Sequence, residues 1–264
     1  MRPDENRPYA VFDYTPTREA SGPKAFLDGF RGYLQADAYQ GYDALFASGE
    51  IVEVGCWAHA RRYYYNARDK DPARAEVALS AIRRLFEIEK SAKDLSADER
   101  KELRERESKP ILDRFRRWID AEAPGALPKS PMGEAFGYTS NQWQALTRYL
   151  EDGRLDIDNN ASERELRRVA VGRKNWLFAG SDAGGTRAAV LYSLVATCRR
   201  HEIDPFEYLR DVIDRVSTHP MGRIEELLPD RWKRLRQAEP TNAPLPQHAA
   251  AGSPAPPGKQ LASP

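Results

Sequence analysis

The chain has 264 residues, enough for one large domain or two small ones, and 41% of them are hydrophobic, so a sizeable core is possible. Lys and Arg number 41 against 40 Asp and Glu, and a net charge of +1 leaves only a local basic face as an indication of a nucleic-acid partner. Two cysteines are too few for a disulfide framework, and no apolar run approaches the roughly 20 residues needed to cross a bilayer, so a cytoplasmic protein with no membrane partner is expected.

Short apolar runs alternate with turns over the first part of the chain. Residues 9–14, 33–36 and 51–55 are predicted strands, because each is a brief run with aromatic or β-branched side chains. The second of these strands runs directly into Asp37. A helical pattern over residues 57–67 follows the third strand. This order predicts the beginning of a mixed α/β core.

A highly charged block with helical periodicity occupies residues 72–150. Ser96 and Glu99 have the spacing of a capping box, which predicts a helix that begins after Ser96. Strand signals are almost absent from this block. It is therefore predicted to be a helical insertion that interrupts the α/β core.

The chain after the insertion returns to short extended pieces and helices. Asn159 and Asn160 are suitable N-cap residues for a predicted helix over residues 162–171. Residues 180–185 are rich in glycine and predict a loop ahead of an amphipathic helix over residues 186–200.

Two acidic residues have positions typical of a functional site. Asp37 lies at the predicted end of a strand, and Glu163 lies in the first turn of a predicted helix. Open α/β folds place ligand-facing groups at such positions, and carboxylates are the ligands that Mg²⁺ and Mn²⁺ prefer. The alternatives are that Asp37 is an ordinary turn residue and that Glu163 completes a capping box whose N-cap is Asn160.

A basic cluster follows Glu163. Its first three arginines share one helix face because they are spaced at i, i+3 and i+4. Such a face would pair with phosphates, and a tryptophan beside it would stack on a base. The alternative is a solvated basic face flanked by Glu163 and Glu165. The candidate DNA-binding residues are Arg164, Arg167, Arg168, Arg173, Lys174 and Trp176.

Two C-x-x-H units offer a different kind of metal site. Cys56 with His59 and Cys198 with His201 would together supply a Cys₂His₂ set for a tetrahedral zinc ion. The alternative is that both cysteines are small buried apolar residues and that His201 is a cation at a helix C-terminus.

Four segments of the chain resemble the transposase family of insertion sequence 66. They are LQADAYQGY (34–42), CWAHARR (56–62), NNASER (159–164) and GRKNWLFAGSD (172–182). Their order and spacing also fit the family. The likeness covers nearly everything except the C-terminal tail, and four long motifs in order are far more specific than one short pattern.

This resemblance implies an α/β fold with a ribonuclease-H-like core and a catalytic Asp-Asp-Glu triad. Asp37 matches the second Asp and Glu163 matches the Glu, so both are expected to hold Mg²⁺ or Mn²⁺. Cys56 and His59 have a place beside the active site in the family pattern, whereas the second C-x-x-H unit does not belong to it. The family's first Asp lies on a strand upstream of the part shared with this chain, so neither that strand nor a first Asp is assigned here.

The resemblance and the pattern along the chain together predict five segments. The first and third are the two parts of the core, the second is the all-helical insertion, the fourth is a C-terminal helical segment and the fifth is a disordered tail rich in Pro and Ala. Their predicted bounds are residues 1–69, 70–152, 153–203, 204–236 and 237–264.

The implied function is that of a transposase catalytic domain that cleaves DNA strands and transfers them with divalent metal ions. The expected partners are DNA, as transposon ends and target, and further copies of the chain or accessory transposition proteins. Because no first Asp is assigned, the chain alone is expected to be inactive. The alternatives are a non-catalytic DNA-binding or regulatory remnant and a zinc-stabilised helical interaction protein.

Overall fold

The computed structural model describes residues 9–17, 19–172 and 179–238. The chain forms two compact units, a large unit over Pro8–Thr197 and a small unit over Met1–Arg7 with Cys198–Pro264. The finer division into five segments, including the disordered tail, stays a prediction, and nearly all of that tail lies outside the described residues.

The sheet of the large unit consists of two parallel strands within the described residues. β1 (Gly32–Gln35) pairs with β2 (Ile51–Val54), with Gly32 opposite Ile51 and Gln35 opposite Val54. The predicted strands over 33–36 and 51–55 are thus confirmed to within a residue. A mostly helical chain with a parallel strand pair is compatible with the α/β class, while the ribonuclease-H-like core stays a prediction.

The predicted strand over residues 9–14 is wrong, because this segment pairs with a helix instead of a sheet. The backbone N–H of Ala10 donates to Thr197 Oγ1 at 3.2 Å, and that of Phe12 donates to Ser193 Oγ at 2.8 Å. Residues two apart on an extended chain face the same side, and the two hydroxyls lie one helical turn apart. Side chains therefore satisfy the backbone donors that a neighbouring strand would otherwise have bonded.

Helices form most of the described chain, and the predicted helical character of residues 72–150 is confirmed. A π-helical turn over Arg104–Ser108 joins the fifth and sixth helices, and 3₁₀ turns extend several others. No helix of the described residues has the length and apolar character that a membrane crossing requires. The α-helices are α1 (Ser21–Phe26), α2 (Asp43–Phe46), α3 (Trp57–Ala67), α4 (Pro72–Ser91), α5 (Ala97–Leu103), α6 (Lys109–Glu122), α7 (Pro131–Asn141), α8 (Trp143–Thr147), α9 (Asn160–Gly172), α10 (Asp182–Arg200), α11 (Pro205–Val216) and α12 (Pro229–Ala238).

Side-chain caps explain where two of these helices begin. The capping box predicted for α5 is present, since Ser96 accepts from the backbone of Glu99 and the Glu99 carboxylate accepts from the backbone of Ser96. Helix α10 begins at Asp182, earlier than predicted, because Ser181 Oγ accepts from the backbone N–H of Gly184 at 3.1 Å. This N-cap outweighs the low helix propensity of the glycines, so the predicted loop over 180–185 is wrong from Asp182 onward.

The main core of the large unit packs α3 against the helical block. Trp57 is fully buried, and its indole Nε1 donates to the carbonyl of Leu146 at 2.7 Å. Tyr64 lies two turns after Trp57 on the same face of α3, and its ring contacts Phe115 of α6 and Phe136 of α7. Burying side chains of this size contributes about 2–3 kcal/mol each. The helical block therefore shares one core with the helix that follows β2.

The small unit has its own packing around two aromatic residues. Tyr208 of α11 and Trp232 of α12 meet edge to face with their ring centroids 5.5 Å apart. The Tyr208 hydroxyl donates to the carbonyl of Leu227 at 2.7 Å, and Trp232 Nε1 donates to Asp211 Oδ2 at the same distance. Both polar tips are thus satisfied, as buried aromatic residues with a donor require.

Candidate active site

The end of the two-stranded sheet brings two of the four motifs together. The backbone N–H of Ala36, just after β1, donates to the carbonyl of Val54 at 3.0 Å, so the pairing continues past the strand ends. Continuing the parallel register puts Asp37 level with Cys56. Neighbouring parallel strands lie about 4.8 Å apart, so Asp37 and the start of α3 share one edge of the sheet.

Asp37 is exposed and is followed by an unusual backbone conformation. Ala38 has φ of +61°, in the left-handed region that an L-residue other than Gly, Asn or Asp adopts at a cost of about 1 kcal/mol. This turn takes the chain sharply away from the strand immediately after the carboxylate. Asp37 is thereby held at the strand end with its side chain open to solvent.

Cys56 joins the start of α3 to the segment ahead of α9. Its thiol is fully buried and lies near the backbone N–H groups of Asn159, His59 and Ala58. Burial raises the pKa of the thiol in spite of these donors. Cys56 is thus a buried neutral residue that ties two chain segments together, consistent with its expected place beside the site.

The same two segments are also joined through their backbones. The N–H of Trp57 donates to the carbonyl of Ile157 at 3.1 Å. Asp158 then accepts from the backbone N–H of Asn160 at 3.0 Å and from its side-chain amide at 2.6 Å. Helix α9 therefore starts from a fixed point against the N-terminus of α3, which decides where its first turn lies.

Glu163, in that first turn, contacts His59 of α3. His59 Nε2 lies 3.3 Å from Glu163 Oε1; the imidazole is 12% exposed and the carboxylate 45% exposed. The other ring nitrogen, Nδ1, is buried and has no hydrogen-bond partner among the described residues. The capping-box alternative for Glu163 is not the arrangement found, because Asp158 accepts from the backbone N–H of Asn160.

Two tyrosines, Tyr138 and Tyr42, lie close enough to Asp37 for its charge to affect them. Burial raises the pKa of the Tyr138 hydroxyl, and the charge of Asp37 is among the further causes. The Tyr138 ring stacks on Tyr63 with centroids 4.5 Å apart, and Tyr63 lies one turn after His59 on α3. Burial and the charge of Asp37 also raise the pKa of Tyr42. The charge of Asp37 therefore acts on a tyrosine that stacks on α3 one turn beyond His59.

A buried arginine that the sequence patterns did not reveal binds the chain segment that precedes α9. Arg104 is fully buried and bonds both carboxylate oxygens of Glu89, at 2.8 and 2.6 Å. Its remaining N–H groups donate to the carbonyls of Tyr149, Asp152 and Leu155. The helical block thus fixes the chain that leads into α9, although Arg104 resembled any other residue of a charged helix.

Metal ligands are present in the described residues only in part. Asp37 and Glu163 offer the carboxylate oxygens that Mg²⁺ and Mn²⁺ prefer. However, no group of three or more His, Cys, Asp or Glu side chains in the described part of the chain is arranged to hold a metal ion. The described residues therefore supply only part of a divalent-metal site, and the Cys₂His₂ zinc set considered for the two C-x-x-H units stays a prediction.

The predicted basic cluster lies partly within the described residues. Arg164, Arg167 and Arg168 are all exposed on α9. Arg168 lies 3.7 Å from Glu165, whose side chain is only 15% exposed. Arg173, Lys174 and Trp176 lie outside the described residues.

Three relatives cover most of this chain. All are described as uncharacterized proteins of Sinorhizobium fredii strain NBRC 101917 / NGR234. The protein y4hP is 38% identical over 248 residues, y4qI is 34% identical over 235 and y4jD is 29% identical over 236. The matches take in 88%, 86% and 86% of this chain but 45%, 44% and 46% of the relatives. The chain thus spans about half the length of the relatives it matches, and no solved structure matches it.

Two family models match consecutive parts of the chain. The model described as the transposase IS66 family matches residues 1–187, and the model of the IS66 C-terminal element matches residues 193–229. The first match includes the sheet edge, the start of α3 and the first turn of α9. The chain therefore belongs to the IS66 family of transposases.

Proposed function

We propose that this chain is part of the catalytic region of an insertion-sequence transposase that cleaves and transfers DNA strands. In this proposal Asp37 and Glu163 are catalytic residues that bind Mg²⁺ or Mn²⁺. Cys56 and His59 hold the surrounding structure. The family supplies the transposase role, while the assignment of chemistry to these residues is our inference from their surroundings.

The contact between His59 and Glu163 carries the proposal. It joins the element that follows β2 to the first turn of α9, although about a hundred residues separate the two in sequence. Asp37 follows the neighbouring strand β1 at the same end of the sheet. A shared sheet edge with carboxylates from distant parts of the chain is the arrangement in which α/β enzymes bind ligands.

Divalent ions, when bound, would stabilise the charges of the attacking and leaving oxygens in phosphoryl transfer. The described residues supply two carboxylates and no third ligand grouped with them. An incomplete ligand set binds metal weakly, because the charge of the ions requires several carboxylates. We therefore propose that the chain by itself does not cut DNA.

The proposed partners are DNA, as transposon ends and target, and further copies of the chain or accessory transposition proteins. The exposed arginines of α9 are proposed to hold the DNA backbone, together with the three cluster residues outside the described part. Arginine suits this role because its guanidinium group pairs with phosphate through two parallel hydrogen bonds. The whole set is Arg164, Arg167, Arg168, Arg173, Lys174 and Trp176.

Iron-directed backbone cleavage tests the metal assignment even when binding is weak. Fe²⁺ with ascorbate and hydrogen peroxide produces radicals that cut the polypeptide close to the bound ion. The expected fragments end near Asp37 and near Glu163, and excess Mg²⁺ suppresses both cuts. The variants Asp37→Asn and Glu163→Gln should lose them, whereas Asp94→Asn, at an exposed carboxylate elsewhere, should not.

The second measurement is nicking of supercoiled plasmid by the chain with Mg²⁺ or Mn²⁺. We expect no nicking above the level of Asp37→Asn. Nicking that depends on Asp37 would show that the chain is active by itself and would overturn that part of the proposal. Iron-directed cuts distributed without regard to Asp37 and Glu163 would overturn the metal assignment.

A non-catalytic DNA-binding or regulatory role is the second candidate function. The observation that favours it is the lack of a third ligand in the described part of the chain. Under this reading the chain binds DNA with an affinity that falls steeply with salt, and shows no iron-directed cuts at either carboxylate. The two experiments together therefore separate the candidates.

A further inference from the structure

A basic groove runs between α3 and α4 of the large unit, and Asn160 of α9 also lines it. Its volume is about 470 Å³, and its charged lining consists of three arginines and one glutamate. Its apolar lining includes Leu79 and Phe86, beside the ring of Tyr65. The charged and aromatic residues of this α3–α4 groove are Arg61, Tyr65, Arg68, Glu76, Arg83 and Phe86.

On the α3 side of the groove, the guanidinium groups of Arg61 and Arg68 flank the exposed ring of Tyr65. Arg61 and Arg68 are seven residues apart and therefore lie on one face of the helix, with Tyr65 between them. The guanidinium carbon of Arg68 lies 4.6 Å from the centre of the Tyr65 ring, and that of Arg61 lies 5.9 Å from it. These cation–π contacts hold both side chains over the groove without neutralising their charge.

Carboxylates neutralise little of this positive charge. Arg61 has no ion pair among the described residues, and Arg68 lies 3.8 Å from Asp69, which is 86% exposed. On the α4 wall, Arg83 is 62% exposed and lies 3.7 Å from the equally exposed Glu76. Ion pairs this exposed and this long are weak and are readily exchanged for a stronger anion.

The position of the groove relates it to the proposed active site. Ala58 and Asn160 also line it. Ala58 precedes His59, and Asn160 lies one turn ahead of Glu163 on α9. A polyanion that lies in the groove would therefore pass directly beside the contact between His59 and Glu163.

We propose that the α3–α4 groove binds the sugar-phosphate backbone of duplex DNA and leads it to the edge that carries Asp37 and Glu163. This inference rests on the proposed function, from which it takes DNA as the polyanion. Backbone recognition fits better than base stacking, because a guanidinium group already covers the Tyr65 ring. Lys90 lies on the same face of α4 as Arg83, and with Lys93, just after the helix, it lines an adjoining pocket that also contains Glu89, Asp156 and Asp158.

The test is equilibrium binding of a fluorescent DNA duplex of arbitrary sequence, measured in EDTA over a series of salt concentrations. The triple variant Arg61→Ala/Arg68→Ala/Arg83→Ala should bind at least about tenfold more weakly than the unchanged chain. Its affinity should also fall less steeply with salt, since about 0.9 counterions are released for each phosphate contact. Far-UV circular dichroism checks that the variant remains folded.

A matched control removes the same charge elsewhere. Arg114, Arg117 and Lys129 are exposed and line no part of the groove. Their triple alanine variant should bind DNA nearly as well as the unchanged chain. Tyr65→Phe keeps the ring that holds the arginines and should bind normally, whereas Tyr65→Ala should bind several-fold more weakly.

The outcomes separate the groove from the proposed function. If the unchanged chain binds DNA and both triple variants lose the same affinity, only net charge matters and the proposal that the groove binds DNA is overturned. The assignment of Asp37 and Glu163 as catalytic residues is not affected by that result. The same conclusion follows if the groove variant binds like the unchanged chain. If the unchanged chain binds anionic lipid vesicles but no DNA, both the groove and the proposed function are overturned.

Discussion

His59 Nε2 lies 3.3 Å from Glu163 Oε1, which joins the helix after the sheet to the helix that follows the insertion. The carboxylate remains 45% exposed, so water and salt screen the attraction. The contact therefore orients Glu163 more than it stabilises the fold. Its formation depends on the backbone bonds that start α9 against the N-terminus of α3.

A double-mutant cycle with His59→Ala and Glu163→Ala measures this contact. We expect a coupling free energy of about 1 kcal/mol or less that decreases with added salt, because the Glu163 carboxylate is partly exposed. Urea unfolding of the four proteins at low and high salt gives the value. In the iron-directed assay, His59→Ala should weaken the cut near Glu163 while leaving the cut near Asp37. Equal loss of both cuts would mean that His59 does more than orient Glu163.

The left-handed backbone at Ala38 predicts a contrast between two substitutions. Ala38→Gly should leave the free energy of unfolding unchanged or raise it by up to about 1 kcal/mol, because glycine adopts positive φ without steric cost. Ala38→Val should lower it by about 1–3 kcal/mol, because a β-branched side chain is strained there. Thermal or urea unfolding distinguishes these results. A valine variant as stable as the glycine variant would show that the left-handed turn is not retained in solution.

The buried pair of Arg104 and Glu89 should be among the most sensitive positions of the large unit. Arg104→Met should lower the free energy of unfolding by about 3–5 kcal/mol, because it leaves a nearly buried carboxylate and three carbonyls without their donor. Arg104→Lys should also destabilise, since an ammonium group cannot reproduce the two parallel bonds to Glu89. Urea unfolding measures both effects.

The control for this pair is Arg116→Met, which breaks an exposed ion pair with Asp120 on α6. Its cost should stay below about 1 kcal/mol. The double variant Glu89→Gln/Arg104→Met should recover part of the loss, because the unpaired buried charge is gone. A cost for Arg104→Met as small as that of Arg116→Met would contradict the buried network.

Cys198 predicts a loss of stability in alkali. Burial, followed by the charge of Asp204, raises the pKa of its thiol from 9.0 to about 12. Above pH 9 the unfolded chain releases this proton while the folded chain keeps it, so the contribution to stability is full below pH 9 and declines as the pH rises toward 12. The decline from this one group is up to about 1.4 kcal/mol per pH unit.

Urea unfolding midpoints measured at a series of alkaline pH values test this assignment. As the pH rises, the free energy of unfolding of the variant Cys198→Ala should decrease less than that of the unchanged chain. The buried tyrosines contribute equally to both proteins and do not affect this difference. Parallel curves for the two proteins would mean that the thiol ionises alike in the folded and unfolded states. Alkylation of Cys198 in the folded chain should be slow for the same reason, because the thiol is buried and protonated.

Local patterns were sufficient wherever neighbouring residues decide the structure. The helix over Trp57–Ala67 and the capping box of Ser96 and Glu99 follow from residues a few positions apart, and both are confirmed. The strand over residues 9–14 failed for a non-local reason. Its backbone donors are bonded by Ser193 and Thr197, and nothing near residue 9 in the sequence indicates those hydroxyls.

By itself, the sequence determined the family and the two acidic residues worth testing, because long motifs in a set order carry that information. Only the tertiary structure decided what surrounds them. It paired Glu163 with His59, bonded the buried Arg104 to the chain segment ahead of α9, and arranged three arginines along a groove between α3 and α4. Each of these arrangements brings together residues far apart in sequence, and such distances depend on how the core packs, which no pattern of nearby residues specifies.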